Sequence, residues 1–594
     1  MRLSFTFALL LSACADPLRG DDPQTDPQTD PQDADGDGLI AAEDCDDADP
    51  AVGGEELPFD GVDNDCDPST LDDDGDGDGF GLADDCDDTD PLGWLPHDEL
   101  EGDLKGDFVD FCPGYCTRSV SGQLALSLAT QEEVATLGCL TAVGGKLNLP
   151  VSPYLTNLVG LENLSTVGGD LYILFNDVLT SLDGLEGLTT VGGDVYISRN
   201  QKLTSLSGLE GLTTVDGRVF IDSNPLLTSL SGLDGLTYVV EDVEITGNET
   251  LESFEGLGRL SSLGGSLAVF DNPSLTSLSG IEGLTSVSWG VFVEGNLALT
   301  SLAGLDGLSH VEVAIDVYSN PALTSLSGLG GLSSVTGDLY IYGNAALTSL
   351  SGLEGLTTVE GRLFVDNNSS LTSLSGLDAL SSVAGEIYVH NNGALTSLSG
   401  LEALSSLQGY LSVENNASLT SLSGLSGLSS LEGYLWVENN DALTSLDGLT
   451  SLSSVSGELG FSDNGALTSL SGLEGLSSVE GTLYVGDNAS LTSLSGLDGL
   501  SSINGALWVY NNDTLTSLSG LDGLSSVEGG IYVKRNDLLT SLDGLTGLSA
   551  VSGDLQFSDN INLCEDVVDD LIAQITTFTG TVTNTGNLGT CPSA

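Results

Sequence analysis

From Leu155 to Asn562 the chain repeats one 24-residue unit seventeen times without an insertion or a deletion. Typical copies read LTSLSGLEGLTTVDGRVFIDSNPL from Leu203 and LTSLSGLEGLSSVEGTLYVGDNAS from Leu467. Counted from the opening Leu, apolar residues return at positions 1, 4, 7, 10, 13, 17 and 19, with Gly at position 6 and Asn at position 22 in every unit. A strict period of this length requires a solenoid. One unit cannot bury its apolar side alone, so each coil must stack on its neighbours.

Each unit holds two spacings. The stretch GDLYIYGN around Tyr340 alternates, with Leu339 and Ile341 inward and Asp338, Tyr340 and Tyr342 outward, which predicts one short β-strand. The stretch LTSLSGLEGLSSV instead places an apolar residue at every third position. A helix needs alternating spacings of three and four, and each Gly at positions 6 and 9 would cost it about 1 kcal/mol. Extended segments and tight turns are therefore expected. Gly at position 15, present in all but three units, and Asn at position 22 are expected at corners that need a positive φ or a side-chain-to-backbone bond. Stacking at about 4.7 Å would let each Asn amide bond the next coil's amide or a corner carbonyl. Residues 131–154 keep the register through Val134, Leu137, Leu140, Val143, Leu147 and Leu149 and are expected to form a capping coil. Beyond Leu563, CEDVVDDLIAQI spaces Val568, Leu571 and Ile575 as a short amphipathic helix over the last coil would.

The string Leu339, Ile341, Asn344 resembles the leucine-rich-repeat signature, L-x-I-x-x-N. The next Leu is delayed to coil position 25, and Gly/Ser-rich turns replace a helical arm. The unit is closer to the receptor L-domain family, parallel β-helix modules of growth-factor receptor ectodomains. That resemblance covers about two-thirds of the chain and implies an all-β fold, a long parallel β-solenoid.

Residues 1–14 read MRLSFTFALLLSAC, one basic residue before an apolar run too short to span a bilayer, as in a secretory signal. Leu11-Ser12-Ala13-Cys14 resembles the bacterial lipobox, which implies lipidation of Cys14 and a membrane anchor. The alternative is a cleaved soluble secretion signal. By resemblance to other lipoproteins, Ala15 after the Cys implies sorting to the outer membrane, and the expected location is lipid-anchored and exposed at the cell surface. No later stretch is long and apolar enough to cross a bilayer. Of nine cysteines, Cys45, Cys66, Cys86, Cys112, Cys116, Cys139, Cys564 and Cys591 remain, an even count that in an exported chain predicts disulfides. All eight lie outside the seventeen coils; the spacing leaves the connectivity open, and sequential pairing is the expectation.

The formal net charge is −76, from 88 acidic and 12 basic residues, which excludes nucleic acid as a partner and disfavours direct contact with anionic lipid. The acid is densest near the N-terminus. After a Pro-rich tether with PQTD reiterated (residues 14–32), DADGDGLIAAEDCDDADP (33–50) and DGDGDGFGLADDCDDTDP (74–91) match at an offset of 41 residues. Asp33, Asp35, Asp37 and Asp44 in the first, and Asp74, Asp76, Asp78 and Asp85 in the second, place carboxylates at loop positions 1, 3, 5 and 12 with Gly at 6. That spacing wraps a hard cation in oxygen ligands. The closing acid is Asp where an EF-hand has Glu, and no flanking helices are evident. Continued to EELPFDGVDNDCD (55–67), the string resembles the MopE-type metal-binding motif of bacterial surface proteins and, more loosely, thrombospondin type 3 calcium repeats. With the counterpart DFVDFC (107–112), the resemblance makes Cys45–Cys66 and Cys86–Cys112 equivalent disulfides. The family name implies copper, but hard carboxylates with no nearby Met or His cluster favour Ca²⁺; His97 is the one imidazole nearby. The expected organisation is a signal peptide (1–13), tether (14–32), metal module (33–111), N-terminal cap (112–154), repeat (155–562) and C-terminal cap (563–594).

The outward face of the strand is the candidate binding surface. Position 18 is aromatic in eleven of seventeen units, including Phe364, Tyr388, Trp436, Trp508 and Tyr532. Such a stripe can stack sugar rings or peptide side chains, or only stabilise successive coils. On four consecutive coils position 20 reads Asp366, His390, Glu414 and Glu438. Carboxylates on a β-helix face could be catalytic, but an uninterrupted repeat gives no loop to make a cleft or exclude water. A non-enzymatic binding or adhesion protein is expected, monomeric, with an extracellular glycan or protein as ligand; the alternatives are a polysaccharide-active enzyme and a passive surface spacer.

Overall fold

The computed structural model describes residues 98–106, 108–589 and 591. Lipidation at Cys14, the tether, the eight metal-assigned aspartates, Cys45, Cys66, Cys86 and His97 fall outside these residues.

The chain winds as a parallel β-solenoid. One four- or five-residue strand per coil, such as Leu171–Leu174 and Val195–Ser198, pairs in register with its equivalent 24 residues on. From Leu104–Lys105 to Val582–Thr585 these build a continuous parallel sheet of 21 strands. A second wall is made of shorter strands, at coil positions 12 and 13 in the repeat, and falls into two sheets: ten strands from Asp98–Leu100 to His310–Val311 and eleven from Ser334–Val335 to Thr577–Phe578. The ladder thus begins at Asp98, upstream of residue 112, where the sequence placed the start of the cap. The core fills the space between the walls. In a typical coil Leu347, Leu350, Leu353, Leu356, Val359, Leu363 and Val365 are all fully or almost fully buried. These are positions 1, 4, 7, 10, 13, 17 and 19, as the period predicts.

Spacing by three arises from turns in tandem. The N–H of Leu161 donates to the carbonyl of Leu158, and that of Leu164 to Leu161, so side chains three apart leave on one side. In twelve of the seventeen coils an acid at position 8 holds the turn: Glu186 accepts the N–H of Gly184, Glu210 that of Gly208, and Asp234 that of Gly232. One carboxylate per coil is therefore structural over much of the repeat, which accounts for acidity that composition alone left unassigned.

The corners differ in part from expectation. Positive φ occurs at the glycine of position 6, between +106° and +119°, and at position 21, between +51° and +70°, in all seventeen coils. The glycine of position 15 is not left-handed. It is required by contact, since a Cβ on Gly361 would lie 2.5 Å from the backbone of Gly337 one coil earlier. The asparagine of position 22 turns by its side chain, as the alternative expectation had it. Asn344 donates from Nδ2 to the carbonyl of Val317 at 2.8 Å, and the N–H of Asn320 donates to its Oδ1 at 3.1 Å. Every ladder Asn of the repeat is fully buried.

Irregular coils continue the stack at both ends of the repeat. The helix Gln131–Val134, with a reciprocal Thr130–Glu133 cap, enters the coil at residues 131–154. The helix Glu565–Gln574 forms where the acidic segment predicts it, with Val568 and Leu571 buried. It is built into a further coil rather than laid over the last one. The chain resumes as the strand Val582–Thr585, and Asn587 extends the ladder by accepting the N–H of Asn560.

The disulfide pairing is corrected. Cys112 bonds Cys139, with a Cα–Cα distance of 5.5 Å, so Cys86–Cys112 and Cys116–Cys139 do not form; Cys116 is itself disulfide-bonded. A separation of 27 residues is close to one coil, which sets the two cysteines on adjacent levels of the stack. Cys564 and Cys591, the last expected pair, face each other as free thiols in hydrogen-bonding contact, which with burial pushes the Cys591 thiol up to about 11.

Candidate functional site

Position 18 forms three runs of rings rather than one stripe. Tyr172, Tyr196 and Phe220 make the first, with centroids 5.1 and 5.4 Å apart. Tyr340, Phe364 and Tyr388 make the second, at 5.8 and 5.5 Å. In the third, Trp508 lies nearly parallel to Tyr484 at 6.2 Å and to Tyr532 at 4.1 Å. Trp436 joins it across a gap: its indole lies over Gly460 and meets Tyr484 edge-on at 5.6 Å. The rings are half-buried against one another, so part of their area stabilises the stack.

The structure places Asp366, His390, Glu414 and Glu438 on adjacent rungs, as the period requires. Their polar groups are, however, engaged locally. Asp366 accepts from the Asn391 amide at 2.7 Å, and Glu438 accepts from the Trp436 indole N–H at 2.5 Å. His390 Nε2 lies 2.9 Å from Ser412 Oγ and 3.8 Å from Glu414, while Ser412 donates to Glu414 in a short hydrogen bond. Burial lowers the His390 pKa, against the pull of Glu414 and Asp366. Ser412, unremarked in the sequence, fills the ring gap at position 18 and is buried. This arrangement ties side chains together across coils and offers no exposed nucleophile.

A pocket does form on this face, although no loop is inserted. It is an open hollow of about 560 Å³ over the third run of rings, walled by Trp508, Tyr510, Lys534, Arg535, Gln556 and Ser558 among others. Uneven side-chain size makes it. Tyr510 folds across Gly486, where a Cβ would be 2.2 Å from the ring, and small Ser558 leaves space beyond Lys534. The sequence singled out Trp508 and Tyr532 but not Tyr510, Lys534 or Arg535. The succession Gly486, Tyr510, Lys534 and Ser558 at position 20 was the available signal. None of Asp366, His390, Glu414 and Glu438 lines this pocket. Among the described residues no three His, Cys, Asp or Glu converge as metal ligands, and no helix is long and apolar enough to cross a membrane.

One break in the aromatic column carries a pH effect. Asp316 stands at position 18 between Phe292 and Tyr340, with a buried Oδ1 that has no partner, and burial pushes its pKa up to about 6. The folded value lies above the unfolded one, so stability falls as pH rises from about 4 to about 6 and stays reduced above that. Asp316→Asn is therefore expected to raise the Tm at pH 7 and to leave it nearly unchanged at pH 3.5. Half-exposure limits the gain to about 1 kcal/mol. An equal gain at both pH values would assign the effect to packing instead of charge.

No protein-family model matches the chain, and no curated protein matches it. Among solved structures it resembles the mouse RP105/MD-1 complex, at 16% identity over 83% of this chain and 91% of that one, with a TM-score of 0.23. It also resembles the TLR13–ssRNA13 complex, at 14% identity over 78% and 91%, with a TM-score of 0.15. Superposition this slight has no bearing on function.

Proposed function

We propose that the protein is a lipid-anchored bacterial cell-surface protein, held at the outer membrane through Cys14, whose solenoid binds an extracellular glycan or protein without catalysis. The pocket over Trp508 is the observation that carries the binding reading, because it puts aromatic faces, hydrogen-bonding groups and cations around one accessible hollow. The lipobox-like tetrad and the Pro-rich tether support the address. The D-x-D-x-D-G segments, with Asp33, Asp35, Asp37, Asp44, Asp74, Asp76, Asp78 and Asp85, supply hard oxygen donors suited to Ca²⁺ ahead of copper. Calcium there would relieve crowding among carboxylates and couple folding of that segment to binding.

The test uses the full chain with its disulfides intact, screened against glycans and cell-envelope fractions with Ca²⁺ and with a chelator. Trp508→Ala is expected to weaken binding at least tenfold. Its cost to stability should be no more than about 1.5 kcal/mol, the worth of the lost ring stacking. Trp436→Ala, which reaches the site only through Tyr484, is expected to have a smaller effect on binding. Unchanged binding with a lower Tm in both variants would leave the rings a purely structural role and favour a surface spacer.

A further inference from the structure

The pocket's charge is at odds with the molecule that carries it. The chain has 12 basic residues against 88 acidic ones, yet Lys534 and Arg535 are consecutive and both line this hollow with Asp559; Asp463, Asp487, Asp513 and Asp537 wall an adjoining hollow that shares Asn511, Arg535 and Asp559. Elsewhere on the same sheet, cations are consumed. Lys146 pairs with Asp170 at 2.6 Å, Arg362 with Asp338 at 2.8 Å, and Arg218 lies 3.9 Å from Asp194. Among the described residues Lys534 and Arg535 have no ion pair. The Lys534 ammonium lies 4.9 Å from the Trp508 ring centroid and 5.4 Å from that of Tyr532, so it is held over the aromatic floor with its donors free.

We propose that this pocket is a subsite for a carboxylated pyranose, the uronate residue of an acidic polysaccharide. This rests on the reading of the aromatic face as a binding surface and names its ligand. Three features select the class. The C–H face of a pyranose packs on Tyr510 and on the part of Trp508 that Tyr532, stacked at 4.1 Å, leaves uncovered. Gln556 and Ser558 offer an amide and a hydroxyl to sugar hydroxyls. The Arg535 guanidinium is a planar fork suited to a carboxylate, with the Lys534 ammonium beside it as a point charge. The rings of Tyr484, Trp508 and Tyr532 also succeed one another along the solenoid axis, which suits an extended repeating chain. Asp463, Asp487, Asp513 and Asp537 in the adjoining hollow repel a polyanion, so the contacts made by Lys534 and Arg535 must outweigh that repulsion.

Calorimetry on the full chain against polygalacturonate, dextran, dextran sulfate and polyglutamate tests this. Polygalacturonate is expected to bind and dextran to bind at least tenfold more weakly. Lys534→Gln and Arg535→Asn should each lower polygalacturonate affinity at least fivefold with the Tm unchanged. The second variant places at a left-handed corner the residue that Asn367 and Asn391 supply in other coils. Trp508→Ala should lower it as well. Equal binding of dextran and polygalacturonate, or charge variants that bind like wild type, would overturn the assignment. If Trp508→Ala alone weakens binding, the aromatic face remains a binding surface and only the uronate falls. Preference for dextran sulfate would overturn carboxylate selection. Polyglutamate binding that survives Trp508→Ala would make the ligand an acidic peptide.

Discussion

Asn344→Ala is expected to destabilise the solenoid by about 3–5 kcal/mol, far more than the loss of one exposed amide would. The side chain is fully buried and serves two coils. Its Nδ2 donates to the carbonyls of Val317 at 2.8 Å and Tyr342 at 3.2 Å, and its Oδ1 accepts from the backbone of Asn320 at 3.1 Å and from that residue's amide at 3.4 Å. Alanine leaves the Val317 carbonyl and the Asn320 N–H buried without side-chain partners, at about 1–3 kcal/mol each. Asn344→Asp keeps the acceptor but turns an anion toward the Val317 carbonyl, so it should be at least as damaging at pH 7 and partly recover in acid. Because each coil contacts only its neighbours, a defect in the eighth of seventeen units should divide unfolding into two transitions. Denaturant unfolding followed by circular dichroism and by proteolysis reads both effects. A single transition at the wild-type midpoint would refute the ladder's role.

What the sequence made legible was whatever obeys a local rule. Leu339 and Ile341 alternate with Tyr340 because a strand points side chains to opposite faces, and their burial followed at once. The ladder role of Asn344 and the helix at Glu565 were readable for the same reason: an invariant polar residue amid leucines, and a change of spacing. Other features depend on where coils meet. Position 21 holds Gly, Asn or Asp in twelve of seventeen coils, a compositional mark of left-handed backbone, but the neighbouring Asn drew attention from it. The Cys112–Cys139 bond follows from a stack that begins at Asp98, and no spacing among the cysteines reveals that start. The pocket at Lys534 is still less local. It requires that Tyr510 fall over Gly486 one coil earlier and that Ser558 be small one coil later, a relation between residues 24 apart and not within any motif.

Gly352→Ala is expected to be as severe as loss of the ladder amide, for a reason independent of hydrogen bonding. Gly352 has φ +110°, and a Cβ on it would lie 2.2 Å from the carbonyl carbon of Leu326 and 2.5 Å from the nitrogen of Ser327 in the coil before. The left-handed backbone alone costs an L-residue about 1–2 kcal/mol. The contact costs more, because the atoms in the way are backbone and cannot rotate aside; relief requires the coils to separate and disrupts the strand register beside them. A total of about 3–5 kcal/mol is expected, measured by denaturant unfolding as a lowered midpoint that divides into two transitions as for Asn344→Ala. Gly343→Ala separates the two contributions. Its φ is also positive, +70°, but the nearest atoms to a new Cβ are 3.4 Å away, so it should lose only about 1 kcal/mol. Gly343→Asn should be close to neutral, since Asn367 and Asn391 occupy the equivalent corner. If both alanine variants were equally mild, the Gly at position 6 would be a matter of backbone conformation. The close approach of one coil to the next would then add nothing to the requirement for Gly at that position.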